Sequence, residues 1–365
     1  MVAKQTTVLI MAAGTGGHVF PALAIAREMV NLGARIEWLG TPQGLENDLL
    51  VNTEYRLHRI SVRGLRGTGL KRKLMAPVML VMAIWQALRV IRAVKPHCVL
   101  GMGGFVSGPG GVAAKLLGKP LLIHEQNAVA GATNKILSRF ADGVFEAFPG
   151  TFPSTAQPIY TGNPLRTEIA ELHGTERSVP ESRRLRVLVL GGSLGATAIN
   201  NVIPAMLSLW PEASRPELMH QTGARSVEAT RAGYRDAGLQ INAACRVEPF
   251  INDMATAYAW ADVVVCRSGA STVSELAAVG LPAILIPYPH HADQQQLHNA
   301  NWLINGGAAT LLPQSALSAT ALLDALQALD NNRSRLHRMG KAARQLAVCD
   351  ADVVIARRCI EVAHA

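Results

Sequence analysis

Residues 7–30 read TVLIMAAGTGGHVFPALAIAREMV, an apolar run followed by a glycine-rich turn and then a helix-like segment. Residues 186–208 repeat this plan as RVLVLGGSLGATAINNVIPAMLS. Deeper in each half, residues 97–125 and 262–289 share a second scheme of strand, glycine loop, helix, Gly-x-Pro and strand. The chain therefore has the pattern of two similar α/β domains in tandem.

Ten apolar runs in the chain are candidate β-strands. They are continuous and do not alternate with polar residues, as expected for parallel strands that are covered on both faces. Helical patterns such as 21–33 and 270–280 lie between them, which predicts an α/β fold with doubly wound parallel sheets. The polar segment 173–184 suits a linker between the two domains. In chain order the runs are 7–13, 35–40, 98–103, 120–125, 143–148, 186–192, 218–223, 245–250, 262–267 and 283–289.

The composition limits what the chain can do. Its 365 residues are 49% hydrophobic and 17% charged, which excludes a disordered protein, and the formal net charge is +9. A basic chain favours a negatively charged partner: nucleotide phosphates, nucleic acid or an anionic membrane surface. Only 5% of residues are aromatic and no RNP-type motif or zinc-finger spacing occurs, so we expect no nucleic acid partner. The five cysteines never form C-x-x-C, which predicts reduced thiols.

Two segments bear on targeting and membranes. The N-terminus has one lysine and a short apolar run that leads directly into a glycine loop, so we predict no signal peptide. Residues 74–85, LMAPVMLVMAIW, are twelve apolar residues, whereas a spanning helix needs about 20, so we predict no transmembrane helix. Basic residues before this run suit an anionic membrane surface, and a buried helix with a solvated basic loop is the alternative. These residues are Arg63, Arg66, Lys71, Arg72 and Lys73.

The loop GTGGHVFPA, residues 14–22, follows a strand and opens a helix, whose N-terminal N–H groups can bind phosphate. It is a poor dinucleotide fingerprint, because Val19 stands where a third glycine is needed and no ribose-binding acid follows the second strand. A tight turn without a ligand explains the same residues. His18 lies in the first helical turn, where the helix N-terminus disfavours imidazolium, so a neutral ring could accept a proton. A packing or capping histidine is the alternative.

Polar residues follow several other predicted strands, where the sites of parallel sheets usually lie. HEQN, residues 124–127, ends one strand, and helix capping is the alternative use of these side chains. GGSLGA, residues 191–196, offers N–H groups and the Ser193 hydroxyl to a phosphate. Glu275 could accept two hydrogen bonds from ribose hydroxyls, although a surface carboxylate is the alternative. The histidines after the last predicted strand lack the spacing of metal ligands, so we predict no metal site.

Taken in order, six motifs resemble those of the MurG family, the bacterial peptidoglycan N-acetylglucosaminyltransferases. The similarity extends from about residue 7 to residue 305, and the ordered combination is specific where each motif alone is weak. One departure is Phe105, where a tyrosine is expected, so this position lacks the hydroxyl. The motifs are GTGGHVFPALAIA, GMGGFVSGPGG, HEQNAVAGATN, GNPLR, GGSLGA and CRSGASTVSELAAVGLPAILIPYPHHADQQQLHNA.

The resemblance implies a GT-B fold, in which two Rossmann-like domains with parallel sheets face a central cleft. It implies that the last helix returns to the first domain. The domains would then be residues 1–165 with about 343–365, on the acceptor and membrane side, and residues 166–342, which bind the UDP-sugar donor. The implied reaction is an inverting transfer of N-acetylglucosamine from UDP-N-acetylglucosamine to the 4-hydroxyl of the muramyl sugar of lipid I, giving lipid II for peptidoglycan. It implies neither a cofactor nor a metal.

Site residues carry over from the family's motifs by position. An inverting transfer needs a base for the acceptor hydroxyl, and His18 is the first candidate and Glu125 the second. Helix N-termini and Arg166 could stabilise the departing UDP without a metal. The implied substrate-binding residues are Thr15, Gly16, Gly17, Asn127, Arg166, Ser193, Ile251, Ala270, Ser271, Thr272, Val273, Ser274, Glu275 and Gln295.

The implied location is the cytoplasmic face of the bacterial cell membrane, where the chain would bind peripherally to the anionic inner leaflet. Lipid I and other cell-wall synthesis proteins are the implied partners there. Three alternatives stay open. They are another GT-B enzyme that uses a UDP-sugar, such as a UDP-N-acetylglucosamine epimerase; a nicotinamide-dependent oxidoreductase; and a non-enzymatic basic module that binds membranes.

Overall fold

The computed structural model describes residues 5–62, 70–175, 177, 179–192, 195–290 and 293–364, with the backbone alone for residues 70–74. Contacts within the chain divide it into two compact units. Unit 1 comprises Met1–Arg166 and Val348–Ala365, and unit 2 comprises Thr167–Ala347. The first boundary lies one residue after the expected one. The return to unit 1 begins at Val348 and not near 343, because the preceding helix belongs to unit 2.

Unit 1 contains a parallel sheet of seven strands with helices on both faces. The strands are β1 (Thr7–Met11), β2 (Arg35–Gly40), β3 (Arg56–Arg59), β4 (Cys98–Gly101), β5 (Leu121–Glu125), β6 (Gly143–Glu146) and β7 (Ile159–Tyr160), in the order β3-β2-β1-β4-β5-β6-β7. The helices are α1 (Gly16–Asn31), α2 (Glu46–Leu49), α3 (Leu70–Val94), α4 (Gly104–Leu116) and α5 (Ala132–Leu137). Val8 and Ile10 of β1 enter one core layer, whereas Leu9 and Met11 enter the other. Both faces of the strand are therefore covered, which is why the four residues after Thr7 are all apolar.

Unit 2 repeats the plan with six parallel strands. They are β8 (Arg186–Leu190), β9 (Glu217–Gln221), β10 (Cys245–Glu248), β11 (Val263–Cys266), β12 (Ala283–Leu285) and β13 (Ala309–Leu311), in the order β10-β9-β8-β11-β12-β13. The helices are α6 (Thr167–Ala170), α7 (Thr197–Leu209), α8 (Val227–Asp236), α9 (Met254–Trp260), α10 (Ala270–Val279), α11 (Gln295–Asn305), α12 (Ala319–Asp330) and α13 (Arg333–Leu346). Counted within each unit, the first six strands have the same spatial order, 3-2-1-4-5-6, which is that of Rossmann folds.

The last helix, α14 (Ala351–His364), packs on unit 1. Its residues Ile355, Ala356 and Cys359 lie in the core layer that also covers α1. The Cys98 thiol of β4 donates to the carbonyl of Cys359 at 3.3 Å. The C-terminal residues are therefore part of the first core.

The prediction of two doubly wound parallel sheets is confirmed, and all ten predicted strands occur. The three strands that the sequence did not indicate, β3, β7 and β13, each lie at an edge of a sheet. The internal repeat includes the backbone conformation of individual glycines. Gly118 and Gly280 have φ of +63° and +68° at equivalent positions after a helix, and each precedes the strand that begins near a proline.

Helix α3 changes the basis of the membrane prediction. It is 25 residues long, and residues 75–94 are the one segment of the described chain that could cross a membrane by length and composition. The apolar segment is therefore longer than the twelve residues counted in the sequence, and its length alone does not exclude a transmembrane helix. Ala83, Ala87 and Ile91 of this helix are nevertheless buried in the core of unit 1. The expected basic residues at 63 and 66, and the side chains of residues 71–73, lie outside the described part of the chain.

Candidate active site

The candidate site of unit 1 lies where the strand order reverses, between neighbouring strands β1 and β4. Ligands bind at such switch points, outside the carboxyl ends of the strands. Here the chain leaving β1 enters α1, and the chain leaving β4 enters α4. No side chain caps either helix start in the described structure, so no capping side chain competes with a ligand for the first N–H groups of these helices. Thr15, Gly16 and Gly17 of the expected donor-side loop form the start of α1.

His18 lies in the first turn of α1 and is partly exposed. Its Nδ1 atom is 3.4 Å from the hydroxyl of Thr15. A Cβ atom added at Gly103 would lie 3.2 Å from Nε2, and Gly103 has φ of +83°, so glycine is required beside the ring. Burial lowers the pKa of His18 below 6.5, and the nearby negative charge of Glu125 opposes this shift. The ring is therefore mainly neutral at pH 7 and able to accept a proton.

Glu125, the second candidate base, is buried at the end of β5. Its Oε1 accepts hydrogen bonds from the backbone and side-chain nitrogens of Asn127, at 3.1 and 3.3 Å. Its Oε2 accepts from Gly131 N at 3.1 Å and Asn134 Nδ2 at 2.9 Å. A carboxylate has about four acceptor positions, and these contacts occupy them. The geometry thus favours His18 as the base, with Glu125 holding the loop that follows β5.

Gln126 is a residue of this site that the sequence analysis did not select. It is 2% exposed, and in the described structure neither Oε1 nor Nε2 has a hydrogen-bond partner. The Oε1 atom is 3.6 Å from the added Cβ position at Gly103, which is also beside the His18 ring. A buried amide without partners is costly, so it marks a place where a ligand or a water would be stabilised. Its position in the polar run HEQN was the available signal.

Glu46 stabilises the glycine loop after β1 through hydrogen bonds to its carboxylate. It is fully buried, and its Oε2 accepts from Gly14 N at 3.0 Å while its Oε1 accepts from Thr41 N at 2.7 Å. These bonds join the loop after β1 to the loop after β2. Nothing in the sequence pattern indicated this carboxylate, because its partners are backbone N–H groups brought near by the sheet.

The candidate site of unit 2 lies at the matching switch point, between β8 and β11. The glycine loop after β8 leads into α7, and Gly192 N donates to Gln221 Oε1 at 3.2 Å. A Cβ atom at Gly195, which has φ of +79°, would lie 2.7 Å from the carbonyl oxygen of Thr222. This loop therefore requires glycine on steric grounds as well. Ser193, expected at its centre, lies outside the described residues.

Glu275 lies in the second turn of α10, and the buried Tyr258 of α9 donates to its Oε2 at 2.9 Å. Tyr258 fixes the carboxylate, and sequence reasoning missed it because the pair comes from two helices. At the start of α10, the Ser271 hydroxyl is buried and has no partner in the described structure. Val273 is buried and its N–H donates to Gly269 O, so it supports the helix. The remaining expected residues of this helix are Ala270 and Ser274, which are buried, and Thr272, which is half-buried.

Helix α11 starts beside α10. The Ser268 hydroxyl donates to the carbonyl of Gln296 at 2.6 Å, and Asn299 Nδ2 donates to the carbonyl of Ser268 at 3.2 Å. These bonds place Gln295, the first residue of α11, at the same edge of the sheet as the start of α10. Ile251 follows β10 and is half-buried at this edge. The expected donor residues of unit 2 that the structure describes therefore lie at one edge of the sheet.

Two further expectations concern charge. Arg166 is the last residue of the first part of unit 1 and is half-buried. Among the described residues, no group of three or more His, Cys, Asp or Glu side chains is placed to hold a metal ion. In both units, helix N-termini and arginine side chains supply positive potential to a bound anion.

Two domains of one known protein family match successive parts of the chain. The N-terminal domain of glycosyltransferase family 28 matches residues 8–146, and the C-terminal domain of that family matches residues 186–355. The chain belongs to glycosyltransferase family 28. The enzyme class is therefore glycosyltransferase. The relatives that follow confirm the resemblance found in the sequence.

Relatives cover the whole chain. A protein of Azotobacter vinelandii, named UDP-N-acetylglucosamine–N-acetylmuramyl-(pentapeptide) pyrophosphoryl-undecaprenol N-acetylglucosamine transferase, is 53% identical over 98% of this chain and 99% of its own. The crystal structure of MurG from Acinetobacter baumannii is 41% identical with a TM-score of 0.81, covering 98% of this chain and 99% of that one. A candidate UDP-N-acetylglucosamine 2-epimerase from Listeria monocytogenes has a TM-score of 0.67 at 17% identity, covering 96% and 95%, which shows a shared fold alone.

Proposed function

We propose that this chain transfers N-acetylglucosamine from UDP-N-acetylglucosamine to the 4-hydroxyl of the muramyl sugar of lipid I, giving lipid II. The observation that carries the proposal is His18, a partly exposed histidine with a lowered pKa at the switch point of unit 1. The full-length relatives named for this reaction support the choice of donor and acceptor. The epimerase alternative has a likeness of fold in its favour and nothing more.

In the proposed reaction, His18 removes the proton from the acceptor hydroxyl while that oxygen bonds to the anomeric carbon of the donor sugar. The bond from this carbon to the diphosphate breaks on the opposite face, and UDP leaves with the bonding electron pair. The new linkage is therefore β. The Thr15 hydroxyl orients the ring, and the negative charge of Glu125 stabilises the imidazolium that forms.

Unit 2 binds the donor in this proposal. Glu275, held by Tyr258, accepts hydrogen bonds from the ribose hydroxyls, and the buried Ser271 hydroxyl gains a partner when the nucleotide binds. The starts of α7 and α10 direct N–H groups at the diphosphate, whose charge Arg166 also meets. Gln295 contacts the sugar hydroxyls, and Ile251 lies against the uracil. Asn127, whose side-chain amide donates to Glu125 Oε1 at 3.3 Å, is a proposed substrate-binding residue of unit 1.

The function is tested by following radiolabelled N-acetylglucosamine from its UDP ester. The proposal predicts label in the lipid fraction only when a lipid I analogue is present, with release of one UDP for each sugar transferred. Conversion of the UDP-sugar to its 2-epimer without an acceptor would support the epimerase instead. Absence of UDP binding together with NAD binding would revive the oxidoreductase alternative.

We also infer that unit 1 rests on an anionic membrane surface. The outer face of α3 carries exposed apolar residues, and the Arg89 guanidinium lies 4.7 Å from the centre of the Trp85 ring. Such a face suits the boundary between headgroups and acyl chains, and each basic residue near it contributes about 1 kcal/mol. The exposed residues are Met75, Val78, Val81, Met82 and Trp85.

Vesicle binding tests the location separately from catalysis. Replacing Lys71, Arg72 and Lys73 by serine should reduce sedimentation with anionic vesicles and leave the weak binding to neutral vesicles unchanged. Val78→Asp should reduce binding to both. Unchanged binding in both variants would place the membrane contact elsewhere on the chain.

A further inference from the structure

Unit 1 contains an apolar groove between α3, α4 and α5, which the reaction as described does not use. Its volume is about 470 Å³, within the usual range of small-molecule sites, about 300–1,000 Å³. One stripe of α3 forms a wall, with Met79, Leu80 and Ile84 at helical spacing, and Ile136 of α5 stands opposite. We call it the α3–α5 groove.

The floor of the α3–α5 groove is open because α4 places small residues there. A Cβ atom added at Gly108 would meet only the methyl group of Thr133, at 3.5 Å. The wall residues are apolar and yet accessible: Leu80 is 50% exposed, and Phe105 and Ile136 are each 55% exposed. Exposed apolar surface of this concave kind marks a binding site for an apolar group.

The groove continues into a second cavity at the glycine loop. That cavity has a volume of about 720 Å³ and is lined by Gly14, next to the start of α1. The two spaces share lining residues, among them Met79 and Phe105. A molecule with an anionic group at the helix N-terminus can therefore extend an apolar tail past Phe105 into the groove without leaving unit 1.

We propose that the α3–α5 groove binds the first isoprene units of the polyprenyl chain of the acceptor. The inference rests on the proposed function, since it needs an acceptor whose diphosphate carries such a chain, as the relatives' names describe. The groove differs from the outer face of α3, which is directed away from α4 and α5, so chain binding and membrane contact use different residues.

The test compares two soluble acceptors and two neighbouring substitutions. The acceptors are muramyl-pentapeptide diphosphates esterified with methanol or with a ten-carbon prenyl alcohol, both used below the concentration at which micelles form. Leu80 lines the groove, whereas Val81, which is 66% exposed, is not among its lining residues. Leu80→Asn and Val81→Asn are therefore a matched pair on one helix.

The wild-type enzyme should have a KM about tenfold lower for the prenyl acceptor than for the methyl acceptor, since burial of two methylene groups suffices for this ratio. Leu80→Asn should raise the KM for the prenyl acceptor about fivefold and leave that for the methyl acceptor unchanged. Val81→Asn should change neither KM but weaken vesicle binding. Gly108→Leu, which fills the floor, should reproduce the selective effect of Leu80→Asn.

Equal KM values for the two acceptors in the wild type would overturn the groove proposal while leaving the transferase intact. Equal effects of Leu80→Asn and Val81→Asn would do the same, and would assign both residues to a general apolar surface or to a protein partner. Absence of transfer to either acceptor, with the wild-type fold shown by circular dichroism, would instead contradict the proposed function.

Discussion

Replacement of His18 should abolish the acid limb of the pH profile as well as most of the turnover. Burial holds the pKa of His18 below 6.5, so at pH 7 more than about three quarters of the molecules carry the neutral ring. The value of kcat/KM for the wild type should therefore rise with pH, with a midpoint below 6.5, and reach a plateau by pH 7.5. Positioned bases contribute about 10² to 10⁴ in rate, so His18→Ala should lower kcat by that factor.

The assay is steady-state transfer to a soluble acceptor between pH 5 and 9, with UDP binding measured by calorimetry. His18→Ala and His18→Gln should bind UDP with a Kd within about twofold of the wild type, because neither substitution removes the backbone N–H groups of a helix N-terminus. His337→Ala, at an exposed position on α13, is the control and should keep both rate and profile. A His18→Ala enzyme with a kcat within threefold of the wild type, or with the acid limb retained, would refute the assignment of the base.

The remaining predictions concern donor binding, packing and stability. Glu275→Ala should raise the donor KM about tenfold. Tyr258→Phe, which removes the 2.9 Å hydrogen bond to that carboxylate, should raise it about threefold. Steady-state kinetics at saturating acceptor measures both, and an unchanged KM in Glu275→Ala would exclude the ribose contact. Gly103→Ala places a Cβ atom 3.2 Å from the His18 ring, at a φ of +83° that favours glycine. The ring should therefore be displaced, and kcat should fall at least about tenfold while UDP still binds. A kcat equal to that of the wild type would contradict this packing. Burial lowers the pKa of His220 to about 3, so the unfolded chain binds a proton near pH 6.5 that the folded chain does not. His220 should therefore lower the free energy of unfolding by about 2 kcal/mol between pH 7 and pH 5. Calorimetry should show a pH-dependent loss that is smaller by about this amount in His220→Gln, and an equal loss in both proteins would contradict the assignment.

The sequence predicts the central strands of both sheets because those strands are covered on both sides. In β8, for example, Val187 and Val189 enter the core under α7, and Leu188 between them is also fully buried. A continuous apolar run is the direct record of this environment. The edge strands β3 and β13 leave no such record, since they are half-buried and short.

The residues of the candidate site also fall into those that the sequence predicts and those that it does not. His18 was predictable because a local motif, the glycine loop and the helix that follows it, determines its position. Glu46 and Tyr258 were not predictable, because each acts through partners from another loop or another helix, whereas Gln126 had a signal in the polar run HEQN. The extent of α3 was missed for a related reason. Its last turns mix arginines with buried residues such as Ile91, so the apolar run ends before the helix does.

The most direct test of the proposed reaction is the structure of the product made by the purified chain. With UDP-N-acetylglucosamine and a lipid I analogue, NMR of the isolated product should show one new β linkage to the 4-hydroxyl of the muramyl sugar. An α linkage, attachment at another hydroxyl, or a changed UDP-sugar without any disaccharide would contradict an inverting transfer assisted by His18.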